Sequence, residues 1–355
     1  MHMNQALILT NGSFLHSDAK TAHGLIRGTE RFTIKGVIDH AATAGRDAGE
    51  LLDGHQRQIP IFASLQDALQ QVPAARYLII GIATVGGKLP ADMLVQIKEA
   101  IGAGLSIVNG LHEFLSDKPE LTVLAAEKGV TLTDVRKPRS RSELHFWTGD
   151  IFKVAAPIVA VLGMDCAMGK RTTARLLTQA VRQAGRKAEM IYTGQTGWLQ
   201  GGKYGFIFDS TVNDFVSGEL EHAIVSCWKA ESPDIIFLEG QSSLRNPSGP
   251  CGSELLISGN AKKVVLLFSP ARKYFDDDAH WGAIPSVESE MEIIRLLGAE
   301  VIALALHTAG CTPEEALHWQ AQYSSRLSIP VLLPVEQGVE PLLPTLLALM
   351  PFRES

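Results

Sequence analysis

The stretch from Pro157 to Thr173 constrains this chain more than any other. An apolar, β-branched run over Ile158–Leu162 stops at Gly163. A short loop follows, Gly169 and Lys170 close it, and a helical pattern begins. A buried strand that turns through glycines into a helix is a phosphate-binding loop. The glycines permit a tight turn with N–H groups aimed inward. The helix N-terminus adds partial positive charge, and Lys170 would reach the outer phosphates.

Two departures narrow that reading. Gly163 and Gly169 enclose five residues, one more than the usual loop. The longer Gly-x-Asp form resembles the dethiobiotin-synthetase branch of P-loop proteins. The position after the lysine, where Ser or Thr usually holds magnesium, is Arg171, followed by Thr172 and Thr173. The expected cofactor-binding residues are Gly163, Asp165, Cys166, Ala167, Gly169, Lys170, Arg171, Thr172 and Thr173, with the phosphates on Gly169, Lys170, Arg171 and Thr172.

The length of 355 residues suggests two domains, and 46% hydrophobic with 20% charged residues is ordinary globular composition. A formal charge of −6 gives no nucleic-acid footprint. Cys166, Cys227, Cys251 and Cys311 are scattered, as expected of reduced thiols in a cytoplasmic protein. No run reaches membrane-spanning length, and no basic-then-apolar leader is visible. The expected partner is a small-molecule substrate, with no nucleic acid and no membrane; a homo-oligomer is a default expectation.

Before the phosphate loop, strands over 6–10, 32–39, 77–81, 105–109 and 130–135 alternate with helices over 18–27, 90–103 and 119–128, and a further short helix opens at Ser64. Alternation implies a parallel sheet covered on both faces. This predicts a Rossmann-like domain over 1–135. It lacks G-x-G-x-x-G after its first strand, so dinucleotide binding is not supported. Asp39 ends the second strand, where an acid could meet a ribose or serve a turn. Loops 81–88 and 109–113 follow strand ends, and His112 reads as a capping or interface residue.

Residues 136–152 read as a linker. Arg136, Lys137, Arg139 and Arg141 cannot be core, and such runs are usually solvated, although this one could reach an anion. A P-loop NTPase-like doubly wound domain over 153–355 is predicted next, with about six strands. Thr193–Trp198 reads as a loop rich in glycine and hydroxyls. Asp214 stands in the first turn of a helix. Ile235–Glu239 has the form of a Walker B strand, whose closing acid would orient magnesium or serve as a general base. A polar loop over 242–252 could close over a substrate.

Gly110–Ser116, Asp134–Pro138, Gly163–Thr173, Thr193–Gly197, Asp214–Gly218 and Glu239–Leu244 together resemble one bacterial and archaeal family long described as a domain of unknown function. That family includes D-glutamate N-acetyltransferases of the DgcN type, and the resemblance implies transfer of an acetyl group from acetyl-CoA to the amine of D-glutamate. Ser242–Ser243 and Arg245–Pro247 depart from its pattern, near the presumed acceptor site.

Coenzyme A carries phosphates that such a loop can hold, and Arg171 suits a metal-free anion site. Acyl transfer needs a base and an oxyanion donor. Glu239 and Asp214 are the candidate bases; Gln195, Thr196 or backbone N–H groups of their glycine-rich loop are the candidate donors. Thr196, Gly197, Gln241, Arg245 and Lys137 are candidate substrate contacts, and Arg245 or Lys137 could supply the cation an acidic acceptor needs. An acetyl-Cys166 intermediate is conceivable, although no histidine at readable spacing would activate it. The alternatives are an ATP–Mg ligase or kinase acting on a carboxylate, with Asp165 and Glu239 on the metal, and a non-catalytic nucleotide sensor.

Overall fold

The computed structural model describes residues 4–40 and 42–351, with the side chains of Ser17 and Val85 outside the description. The chain forms two compact units that divide at Pro138–Arg139, and Gln195–Gly201 counts with the first.

The first unit runs β1 (Asn4–Leu9), α1 (Lys20–Arg27), β2 (Phe32–Ile38), α2 (Ala48–Asp53), β3 (Ile61–Phe62), α3 (Leu65–Gln71), β4 (Tyr77–Ile80), α4 (Ala91–Gly102), β5 (Ser106–Asn109), α5 (Pro119–Lys128) and β6 (Leu132–Asp134). Its sheet has the order β3-β2-β1-β4-β5-β6, and every pairing is parallel. This is the Rossmann order. The central strands are buried on both faces: Leu7 and Leu9 face one apolar cluster, Ala6 and Ile8 the other.

Strand β3 and helix α2 go unread in the sequence. Two residues after Pro60 are too short to show a period, and Gly49 breaks the helical signal. The Ser64 hydroxyl accepts the Asp67 N–H and caps α3, as its spacing predicts. Asp39 serves a turn: it accepts Thr10 Oγ1 at 2.8 Å, Gly12 N–H at 2.6 Å and Thr43 Oγ1 at 2.7 Å.

The second unit runs β7 (Ile158–Gly163), α6 (Lys170–Gln183) and β8 (Ala188–Tyr192). The chain then forms α7 (Gln195–Leu199), which counts with the first unit. It continues through β9 (Tyr204–Gly205), α8 (Asn213–Glu231), β10 (Ile235–Glu239), α9 (Ser253–Ile257), β11 (Lys263–Phe268), α10 (Val287–Leu296), β12 (Glu300–Leu306), α11 (Pro313–Arg326), β13 (Val331–Leu332) and α12 (Leu343–Leu349). The order is β13-β12-β11-β7-β10-β8-β9, again parallel throughout. Strand β7 is central, and Ile158–Leu162 are all buried. Each of the larger side chains there, Ile158, Val159, Val161 and Leu162, stabilises the fold by about 1.5–3 kcal/mol. The position of β7 beside β10 brings the phosphate loop and Glu239 to one sheet edge.

Two expectations need correction. Thr193–Trp198 is not all loop, because α7 begins at Gln195; Leu199 packs into the apolar cluster of the first unit, with Trp198 against it. Nor is the whole of 136–152 a solvated linker. Ile151 is fully buried in the core of the second unit. Glu221 on α8 accepts the N–H groups of Thr148 and Ile151, and Glu219 accepts His145 N–H and pairs with Arg139. Gly218 permits this approach, since a Cβ there would lie 2.1 Å from the His145 carbonyl. Two acids inside a helix give no sequence sign that they are buried and bonded to a neighbouring segment.

Among the described residues, no helix is long and apolar enough to cross a membrane.

Candidate functional site

The phosphate loop joins β7 to α6. It turns through two left-handed positions, Ala167 at φ 52° and Gly169 at φ 83°. A non-glycine residue held there costs about 1–3 kcal/mol, so the surrounding structure must enforce it. Asp165 does much of this. It is fully buried and accepts the amide of Asn246 at 2.7 Å, the guanidinium of Arg272 at 2.9 Å and the N–H of Asp276 at 2.8 Å. Arg272 also donates to the Cys166 carbonyl at 2.7 Å. Asp165 thus shapes the loop, and its oxygens are committed to protein partners.

Asp165, Cys166 and Asp276 offer atoms within 4.8 Å of one another that could hold a metal. Arg272 and Asn246 already occupy the two carboxylates. A divalent ion on Asp165 would have to displace the guanidinium.

Lys170 is almost wholly buried at the start of α6, and its ammonium donates to the carbonyls of Asp165 at 2.6 Å and Ser242 at 2.8 Å. Glycines make room for its stem: a Cβ at Gly163 or at Gly240 would lie 3.1 Å from Lys170 Cδ. An ammonium has three donors, so one remains for a ligand. Burial pushes its pKa down. Gly169 is the N-cap of α6 and no side chain caps the first turn, which leaves its N–H groups for an anion. Thr172 is half-buried in that turn and Thr173 buried; the Thr173 N–H bonds Gly169.

Glu239 ends β10 and is 4% exposed. Its carboxylate accepts the Thr193 N–H at 3.1 Å, and Arg171 Nη1 lies 3.9 Å from its other oxygen. Burial pushes its pKa up, while Arg171 and the Thr193 N–H pull the other way. In a magnesium site the residue after the lysine and the Walker B acid share the metal. Here a guanidinium and a carboxylate face each other at those two positions. Gln241 donates to Thr193 Oγ1 at 3.0 Å beside them.

Cys166 donates weakly to Ser242 Oγ at 3.5 Å, and burial pushes its thiol pKa up. That disfavours the thiolate an acyl-cysteine route requires.

The other candidate residues have these surroundings. Asp214 is exposed in the first turn of α8, whose N-cap is Val212. Arg245 is bound to α10, through Glu290 at 2.6 Å and Ser289 at 2.8 Å. Lys137 is held by Asp117 at 2.6 Å and Ser116 at 2.7 Å. Gln195, Thr196 and Gly197 belong to the first unit, where Gln195 accepts Arg136 at 2.8 Å and Arg136 meets His112 at 2.6 Å. Thr196 and Gly197 are buried there.

His307 was not singled out by the sequence. It directly follows β12, and its ring lies 3.7 Å from where a Cβ on Gly169 would stand. A survey of polar residues just past every strand end would have found it.

The P-loop domain of unknown function described as DUF1611_C matches residues 145–343, and the Rossmann-like domain described as DUF1611_N matches 41–138. The chain belongs to the DUF1611 family. A crystal structure of a DUF1611 family protein from Anabaena variabilis shares its fold, with a TM-score of 0.88 at 28% identity, over 97% of this chain and 99% of that one. Two curated relatives are named D-glutamate N-acetyltransferase. That from Pseudoalteromonas is 27% identical over 272 residues, 75% of this DUF1611 chain and 80% of its own. That from Tritonibacter scottomollicae is 27% identical over 281 residues, 77% and 82% respectively.

Proposed function

We propose that this DUF1611 protein is an acyltransferase that moves an acetyl group from acetyl-CoA to the amine of an acidic amino acid, with D-glutamate the first candidate. The observation that carries the reading is Arg171 facing the buried Glu239 where a nucleotide-hydrolysing site would hold magnesium. The names of the two curated relatives support the same chemistry. Lys170, Arg171 and the uncapped first turn of α6 fit the phosphates of coenzyme A without a metal.

In the proposed reaction Glu239 takes a proton from the acceptor ammonium. The freed amine attacks the thioester carbonyl carbon, a C–N bond forms, the C–S bond breaks, and the second amine proton passes to the departing sulfur, so that coenzyme A leaves as the thiol. A carboxyl kept in a buried site has the raised basicity this step needs. Asp214, exposed on α8, lacks that environment.

A thiol-release assay with acetyl-CoA across D- and L-amino acids tests the reaction. Release that depends on D-glutamate is expected, and no release with any amino acid would overturn the proposal. The Arg171→Thr variant tests the metal argument. It restores the usual magnesium ligand, so acetyl-CoA affinity is expected to fall about ten- to a hundredfold, as for loss of a hydrogen bond to a charged group. ATP affinity in that variant should become magnesium-dependent. Calorimetry with and without magnesium reads both effects.

A further inference from the structure

We infer that Thr193 is the positioning residue for the Glu239 carboxylate, with Gln241 locking it in place; the inference rests on the reading of Glu239 as the proton acceptor. Strand β8 pairs in parallel with β10, Ile191 opposite Leu238, so the residues just past their ends lie side by side. Thr193 is fully buried there. It grips Glu239 at two points. Its N–H donates to Glu239 Oε2 at 3.1 Å, and its hydroxyl donates to the Glu239 carbonyl at 2.8 Å.

A hydroxyl has one hydrogen and two lone pairs. The hydrogen goes to Glu239 and a lone pair takes the Gln241 amide at 3.0 Å. Both roles are filled, which ties the Thr193 segment to the main chain at the end of β10 and so holds its N–H against the carboxylate. Gly194 keeps the space open, since a Cβ there would lie 2.8 Å from Gln241 Nε2.

Among the described residues, the Thr193 N–H is the single hydrogen-bond donor to this carboxylate. A carboxylate offers about four acceptor sites, so most of its capacity is left for a ligand proton. The charged groups acting on Glu239 are Lys170, Arg171 and Arg175, all on α6. Thr193 therefore acts on Glu239 from the β8 side, opposite in sequence and element to those cations. It favours the ionised form and sets the direction of the acceptor lone pairs, acting through Glu239 and contacting neither the amine nor the thioester in this account.

The test is the titration of Glu239 in the full-length protein, followed by carbon-13 NMR of its side-chain carboxyl, with Glu239→Gln identifying the resonance. Thr193→Val removes both hydroxyl bonds while keeping shape, and Gln241→Leu removes only the lock. Both variants keep the Thr193 N–H donor but remove the side-chain bonds that hold it against the carboxylate, and a weaker bond to the charged form raises a carboxyl pKa. The Glu239 midpoint is expected to rise by about half to one unit in Thr193→Val, by less in Gln241→Leu, and to return in Thr193→Ser. The acid limb of the thiol-release rate should move with it. Wild-type titration curves in both the Val and Leu variants overturn the inference. The test is separable from the functional reading: if Glu239→Gln acetylates D-glutamate at the wild-type rate, Glu239 is not the base, whereas the NMR titration still decides what Thr193 does to it.

Discussion

Replacing Glu239 by Gln is expected to slow acetyl transfer about 10²- to 10⁴-fold, the usual contribution of a positioned general base, while the fold becomes more stable at neutral pH. The two effects share one cause. The carboxylate is buried and accepts one hydrogen bond among the described residues, and its pKa stands above the usual range because burial penalises the charge. A neutral amide of the same shape escapes that penalty but cannot accept the proton.

The sign with pH follows. The unfolded carboxyl titrates near about 4.3, and the folded one higher. Below the unfolded value both states are protonated, and wild type and variant should be equally stable. As pH rises from there through the folded pKa, the wild type loses stability relative to the Gln variant, and above it the gap is constant. Thermal unfolding of both proteins from acid to neutral pH checks this. A Gln variant less stable at neutral pH would show that Arg171 and the Thr193 N–H more than compensate the buried charge.

The second large effect belongs to Asp165. Asp165→Ala is expected to destabilise the protein by about 3–5 kcal/mol, since removing one partner of a buried ion pair strands the other. Arg272, itself 14% exposed, would keep its charge with only the exposed Asp277 at 3.3 Å to face it, and the fully buried Asn246 amide would lose one of its two carboxylate acceptors. Urea unfolding measures the loss. Combining Asp165→Ala with Arg272→Met should recover part of it, because the stranded charge is then gone. Phosphate affinity should fall in the single variant, as the left-handed Ala167 conformation loses its support. A single variant within about 1 kcal/mol of wild type would mean that the loop holds its shape without this network.

What the sequence shows and hides follows from the range of the interactions. The βα alternation, the phosphate loop and the closing acid of β10 are local patterns, and each is legible. Ser64, Ser286 and Thr312 are legible caps for the same reason, since each accepts an N–H three residues on. Asp165 was read as a ligand residue because its position in the loop is visible, whereas Arg272 is 107 residues away in sequence. Arg245 and Lys137 are candidate substrate contacts by their charge, and the structure gives each a protein partner as well. Their partners Glu290 and Asp117 lie on other elements, and no periodicity links them. Gln195 was legible as part of a motif, but not as a partner of Arg136 in the first unit. The short strands β3 and β9 and the helix α7 are too brief to carry a period.

The central claim is that Arg171 and Lys170 make a metal-free site for the phosphates of an acyl carrier. Calorimetry of the full-length protein with acetyl-CoA in the presence of a chelator, and separately with ATP and magnesium, tests it most directly. Saturable acetyl-CoA binding that the chelator leaves unchanged, and that Arg171→Thr weakens, is the predicted result. Saturable binding of ATP–Mg with no response to acetyl-CoA would contradict the account.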